Sequence, residues 1–386
     1  MELNNVNKKK EKLHYLEGLR GIMAMNVILC HFICVYYPIM YFQNYSQENN
    51  SYLNIFTNTP LSVLVNGNVA VVFFFVLTGF LVGMSCFQKD ISIKKIGNKV
   101  VNRYLRLLCV IFFATIFTFS LMKLGLMFHL QIDDSNVNLS FLEEYCNFSP
   151  TIVNLIVNIF YKPFISGSDF IGPFWTIKYE FFGYIFIFII SVLLKKIKWR
   201  RVFYIIVVLL FMFYDFNYAP FVLGLIVADL QFNNTPTLFN KYYDAILDKK
   251  WFILSCFIIG IYFACIPLYN SRFYPIISRY TFVSTFVRGA GIALIILVLN
   301  HSKKLIKILE LKPLVFLGKI SFETYALHWP VMLSLGSSLF ILIRSKSSYN
   351  VATLLSFIIT VIVIYIASIL LNILVNQTNK LLFKNR

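Results

Sequence analysis

The chain is short of charge, and shortest of negative charge. Charged residues fill 13% of its 386 positions, and 17 acidic residues stand against 35 Lys and Arg. A soluble domain carries about 25% charged and about 45–50% apolar residues, whereas this chain is 59% hydrophobic. That balance excludes an ordinary soluble fold and points to an integral membrane protein. Metal-ligand spacing is also missing. The seven cysteines, Cys30, Cys34, Cys86, Cys109, Cys146, Cys256 and Cys265, lie mostly in apolar runs, where a thiol behaves as a small hydrophobe. Cys30 and Cys34 are one helical turn apart, but nothing nearby completes a ligand set, so no metal is expected. There is no internal repeat of the transporter kind. The N-terminus is polar and lysine-rich through Lys12, so the first apolar run is expected to serve as an uncleaved anchor.

What the chain has is length of apolar run. Ten runs can be drawn: Ile22–Ile39, Leu61–Phe87, Leu105–Leu124, Phe174–Leu194, Val202–Tyr214, Tyr218–Asp229, Trp251–Leu268, Phe282–Leu299, Pro313–Ile343 and Val351–Val375. Threaded from a cytoplasmic N-terminus, they put most of the 35 basic residues on one side, as the positive-inside rule requires. The net charge of +18 is then a consequence of topology, with no need for a nucleic-acid partner. Merging the fifth and sixth runs would reverse everything after them, so two spans are expected there. The expected fold is an all-α polytopic transmembrane bundle of about ten spans with both termini cytoplasmic. It forms one domain over 1–386, with a polar tail at 1–14. An extracytoplasmic loop at 125–173 carries a short interfacial helix, Thr151–Phe164. The other long outer segment, Tyr41 to Pro60, has no Lys or Arg.

Titratable groups inside spans are costly and therefore candidates for function. They are His31, Lys178, Glu180, Arg288, Lys319, Glu323 and His328. Lys319 and Glu323 are four apart and are expected to pair with each other or with neighbours. Lys178 lies near a surface it can snorkel to, and Arg288 has no evident partner. His31 is a base that exchanges protons near neutral pH, although a histidine in a span also serves as a helix–helix hydrogen-bonding group. It lies eleven residues beyond Arg20, about 16 Å along a helix. Arg103 and Arg106 fall at the same expected face as Arg20. Arginines gathered at one mouth suit a phosphate-bearing ligand, but positive-inside anchoring needs no ligand and is the favoured reading of the residues alone. Glu180 and His328 are expected in the outer half.

Several stretches resemble the acyltransferase family 3 membrane proteins. LEGLRG at Leu16–Gly21 is similar to the family's first-span opening, and Arg20 with His31 reproduces its Arg-x10-His spacing. FFVLTGF at Phe74–Phe80, the Arg-x-x-Arg of Arg103 and Arg106, FWTIKYEFF at Phe174–Phe182 and ISFETYALHWP at Ile320–Pro330 follow in family order. The likeness implies an O-acyltransferase. His31 would be the catalytic base or the residue transiently acylated, and Glu180 would be the second catalytic position. Arg20, Arg103 and Arg106 would hold the phosphates of acyl-CoA, acetyl-CoA in the simplest case, as co-substrate. Glu17, Thr78, Trp175, Tyr325 and His328 would line the substrate path, with Thr78 a guess for an oxyanion donor. The acceptor would be a glycan or lipid-linked sugar, and the setting a bacterial inner membrane. Four positions depart from the pattern: Val72 stands where an acid is usual, Thr78 replaces serine, Glu17 replaces the commoner aspartate, and Lys178 stands where an apolar or small residue is usual, close to Glu180. The rival readings are a glycolipid transporter or flippase, and a scaffold whose polar groups only join helices.

Overall fold

The computed structural model describes residues 13–42, 53, 55–88, 93–233, 235, 249–267, 271, 273–299 and 302–383. The tail at 1–12, much of the 41–60 segment, and the basic positions Lys89, Lys241, Lys384 and Arg386 lie outside them. Every regular element among the described residues is helical. The principal helices are α1 (His14–Tyr36), α2 (Gly67–Phe87), α3 (Ile93–Lys123), α4 (Ile177–Leu194) and α5 (Arg200–Tyr214). They continue with α6 (Ala219–Phe232), α7 (Lys250–Ala264), α8 (Thr281–Leu299), α9 (Lys312–Lys319), α10 (Ser321–Val331) and α11 (Tyr349–Phe383). Seven helices are long and apolar enough to cross a membrane: His14–Tyr36, Gly67–Phe87, Gly97–Gln131, Gly172–Leu194, Thr281–Leu299, Ser321–Arg344 and Tyr349–Leu381. Ile152–Ile165, Phe216–Phe232 and Lys250–Ala264 are apolar but shorter.

Each of the ten apolar runs contains helix, and their boundaries moved where polar side chains compete for the backbone. The second run does not begin as helix at Leu61. Pro60–Leu64 is a 3-10 turn, and Asn66 starts α2 by accepting the Asn68 N–H at 3.0 Å. The fifth and sixth runs are separate helices, joined by a turn in which the Asp215 carboxylate accepts the Asn217 N–H at 3.2 Å. The ninth run breaks at Ile320 and again after Pro330, where Met332–Gly336 forms a π turn before Ser337–Arg344. Proline removes one backbone donor and clashes with the preceding turn, which accounts for the wider winding there.

Close helix contacts explain the glycines of two of the sequence motifs. A Cβ on Gly79 would stand 1.9 Å from the Phe221 carbonyl oxygen, and one on Gly224 would stand 1.9 Å from that of Val76. α2 and α6 therefore touch backbone to backbone, the small-residue mode of association in a bilayer. In LEGLRG, a Cβ on Gly18 would stand 1.9 Å from the Leu309 carbonyl oxygen, and Gly318 faces the Glu17 carbonyl in the same way. These contacts fix α1 against α9 and against the short helix Lys303–Leu309 before it. Gly79→Ala is expected to destabilise the protein by about 1–3 kcal/mol through overpacking, read as a lower melting temperature in detergent.

The segment between α3 and α4 is not a loop lying wholly outside the bundle. Phe170, Ile171 and Phe174 are fully buried and join the core that holds Phe32, Tyr36, Trp329 and Leu333. The expected surface helix is present at Ile152–Phe160, opened by a reciprocal Thr151–Asn154 capping box and showing Ile152, Val153, Ile156 and Phe160 to the surroundings. Asn158 and Lys162 both bond Asp169, which turns the chain back inward. It re-enters through the 3-10 turn Gly172–Thr176 and runs directly into α4.

Candidate active site

The geometry around His31 follows from two backbone carbonyls and two rings. On α10, His328 Nδ1 lies 2.7 Å from the Tyr325 carbonyl oxygen. A carbonyl only accepts, so this nitrogen carries the hydrogen and Nε2 of the neutral ring is left as an acceptor. His328 Nε2 lies 3.2 Å from His31 Nδ1, which is itself 3.0 Å from the Val27 carbonyl oxygen. His31 Nδ1–H therefore donates to both, and the lone pair of His31 Nε2 stays unprotonated. His328 is 1% exposed, while His31 keeps accessible surface. The pair thus presents one base on a part-exposed residue, its tautomer fixed by the Val27 carbonyl and the buried second imidazole.

The Trp329 ring meets His31 edge-on at 5.0 Å between centroids, and Tyr145 packs edge-on against Trp329 at 4.8 Å. Trp329 is fully buried, and its indole N–H has no hydrogen-bond partner. A buried indole usually finds one, so this donor is the feature that the sequence reading missed. Its only signal was its place beside His328 in ISFETYALHWP. Tyr325 is tied elsewhere: its hydroxyl donates to the Pro173 carbonyl and contacts Thr176 Oγ1 at 2.8 Å. It pins α10 to the re-entering turn.

The expected depth order needs correction. Arg103 and Glu180 were placed at opposite faces, yet Arg103 Nη2 lies 2.7 Å from Glu180 Oε2. The reason is the buried 164–176 segment: α4 starts within the bundle, so counting residues from the end of its run misplaces Glu180. The Thr78 hydroxyl donates to the same oxygen at 3.0 Å, which commits its proton to the carboxylate and not to an oxyanion. His328 likewise meets His31 and does not lie beyond it. Lys178 stays out of this network, its ammonium 4.7 Å from the Tyr179 ring centroid.

The three arginines do not form one free fork. Arg20 pairs loosely with Glu17 at 3.4 Å and lies within electrostatic reach of Glu180 and Glu323. Arg103 turns inward to Glu180, with its Nε unpartnered, whereas Arg106 is exposed. Three residues apart leaves ~60° between them on a helix, enough for one to face the bundle and the other its surroundings. Of the two alternatives for Glu323, the structure shows the second: it accepts from Asn372 Nδ2 at 2.9 Å, while Lys319 is exposed on α9. Trp175 is 38% exposed. Among the described residues no cluster of ligands could hold a metal ion.

The sequence model of the acyltransferase 3 family, described as an acyltransferase domain, matches residues 13–373. The chain belongs to the acyltransferase 3 family. It is a membrane acyltransferase, and its apolar helices make it an integral, multi-pass one. No curated protein and no solved structure matches it. The match spans every residue of the site just described, from Glu17 to Asn372.

Proposed function

We propose that this acyltransferase is an O-acyltransferase, acting from acyl-CoA, with acetyl the simplest acyl group, on a hydroxyl of a cell-surface glycan or glycolipid. The observation that carries the reading is the His31–His328 contact, which engages His31 Nδ1 and leaves the Nε2 lone pair as a base inside an apolar bundle. His31 Nε2 takes the acceptor's hydroxyl proton as that oxygen attacks the thioester carbon. A C–O bond forms, the C–S bond breaks, and the proton goes to the departing thiolate. The Trp329 indole N–H supplies the donor for the developing oxyanion, the role Thr78 cannot fill while it bonds Glu180. An acyl-His31 intermediate is the variant, with the same nitrogen as nucleophile.

Arg20 and Arg103 take phosphate oxygens of CoA through donors their carboxylates leave over, and exposed Arg106 adds charge at the entrance. Glu180 holds Arg103 in place. The topology is ten spans with both termini cytoplasmic, in a bacterial inner membrane, so donor and acceptor approach from opposite sides. The test is release of CoA thiol from acetyl-CoA by purified protein in nanodiscs with a surface-glycan acceptor. Release that requires both acceptor and His31 supports the reading, and acceptor-independent release unaffected by His31→Ala refutes it. Trp329→Phe removes only the indole donor among the groups at issue. It is expected to lower kcat by about 10²–10³-fold, the usual cost of an oxyanion donor, with KM for acyl-CoA nearly unchanged.

A further inference from the structure

Lys319 is a cation of the ninth apolar run that the acyl-transfer site does not use. Glu323, four residues on, turns to Asn372 instead. Lys319 belongs to a face of α9 made of Lys312, Val315, Phe316 and Lys319, spaced as one side of a helix. Of these four only Val315 is buried; Phe316 is 46% exposed, and both lysines are exposed. The face forms one wall of an open groove of about 340 Å³. The groove is bounded by His14 at the start of α1 and by Glu310 at the end of the short helix Lys303–Leu309. Its volume lies in the range of small-molecule sites. No ion pair among the described residues engages Lys312 or Lys319. Two ammoniums against one carboxylate leave the groove cationic, with an exposed aromatic ring between them.

The groove adjoins the acyl-transfer site through backbone contact. A Cβ on Gly318, the residue before Lys319, would stand 1.8 Å from the Glu17 carbonyl oxygen, and one on Gly21 would stand 2.7 Å from that of Leu314. The wall that carries the lysines is therefore seated on the α1 turn that carries Arg20. From His14 at the groove, α1 rises ~9 Å to Arg20 and a further ~16 Å to His31. The eleven residues between the last two bring His31 back to within ~20° of Arg20 around the helix. A ligand that reaches from the groove to His31 is long, with a phosphate handle at its far end.

We infer that the groove receives the 3′-phosphoadenosine end of acyl-CoA. Lys312 and Lys319 take the 3′-phosphate as point charges, Phe316 stacks on the adenine, and Glu310 offers an acceptor to its amino group. The pyrophosphate then falls at Arg20 and the thioester at His31, in the order these groups follow along the donor. This inference rests on the acyl-CoA reading and adds which part of the donor the α9 face recognises. The headgroup of an anionic phospholipid carries the same phosphate chemistry, and the test separates the two.

The test uses the full chain in nanodiscs of neutral phosphatidylcholine, with thermal unfolding followed against CoA and against dephospho-CoA, which lacks only the 3′-phosphate. CoA is expected to half-saturate at about tenfold lower concentration than dephospho-CoA, a preference that shrinks as salt is added. The double variant Lys312→Gln with Lys319→Gln is expected to cancel the preference by weakening CoA alone. Lys312→Arg with Lys319→Arg is expected to keep it. Phe316→Ala is expected to weaken both ligands about equally. Equal affinities in the wild-type protein, or a preference that survives the double Gln variant, overturn the inference. The measurement is repeated in nanodiscs containing phosphatidylglycerol. If the double Gln variant loses only a stabilisation by that lipid and keeps the preference for CoA, the lysines serve a lipid headgroup and the inference is likewise overturned. CoA and dephospho-CoA binding equally well removes the groove and leaves the acyl-CoA reading standing, whereas binding of neither removes both.

Discussion

His31→Ala is expected to lower acyl transfer by about 10²–10⁴-fold, the range a general base contributes, with acyl-CoA affinity retained. The basis is the chain of acceptors and donors beneath the ring. The Tyr325 carbonyl fixes the hydrogen on His328 Nδ1, His328 Nε2 then accepts from His31 Nδ1–H, and the free lone pair is left on His31 Nε2. Substitution of the second imidazole separates positioning from catalysis. His328→Phe removes the acceptor for His31 Nδ1–H but leaves the Val27 carbonyl in place at 3.0 Å. It is expected to give a smaller loss, confined to kcat, and a displaced pH–rate profile. Equal losses in both variants, with unchanged profiles, would show that the two rings share a purely structural role. Initial rates of CoA release across pH decide between these outcomes.

The second large effect is on stability. Asp229→Ala is expected to cost about 3–5 kcal/mol, the penalty for stranding a buried charge, measured by chemical unfolding in detergent. Asp229 is fully buried and holds two arginines: Arg200 Nε at 2.5 Å and Arg201 Nε at 2.9 Å. Asn233 Nδ2 adds a third contact at 2.7 Å, and Arg200 also bonds the Ile197 and Thr235 carbonyls. The cluster joins the start of α5 to the end of α6. Because α6 packs through Gly224 on α2, and α2 carries Thr78 to Glu180, the loss is expected to loosen the site as well. Replacing both charges of the tightest pair, Arg200→Met with Asp229→Leu, is expected to recover part of the stability, since apolar substitutes for a buried pair fare better than a stranded ion.

The helices were legible because apolar runs and their breaks are one-dimensional signals. The pairing across Asp215–Asn217 is an example, since merging the two runs would have sent basic loops to the wrong side. Asn66 shows the limit: it lies inside an apolar run, and its capping side chain, not hydropathy, sets where α2 begins. The candidate residues His31, Glu180, Arg103 and His328 could be named from motifs, but not their partners. His31 and His328 are 297 positions apart, and nothing in either run states that α1 and α10 are neighbours. Glu180 was misplaced for a related reason. The Phe170–Phe174 segment reads as loop from its Gly and Pro, while its Phe and Ile side chains are core. The glycines of LEGLRG and FFVLTGF read as motif positions, and the structure gives them a physical cause in backbone contact between helices.

The most direct measurement is transfer across a sealed bilayer. Protein is reconstituted into proteoliposomes, radiolabelled acetyl-CoA is supplied on the side of Arg20 and Arg103, and a glycolipid acceptor is placed on the other. The predicted result is label on the acceptor beyond the membrane, abolished by His31→Ala. Acceptor that crosses the bilayer without gaining label, or labelling that persists in His31→Ala, would contradict acyl transfer at His31.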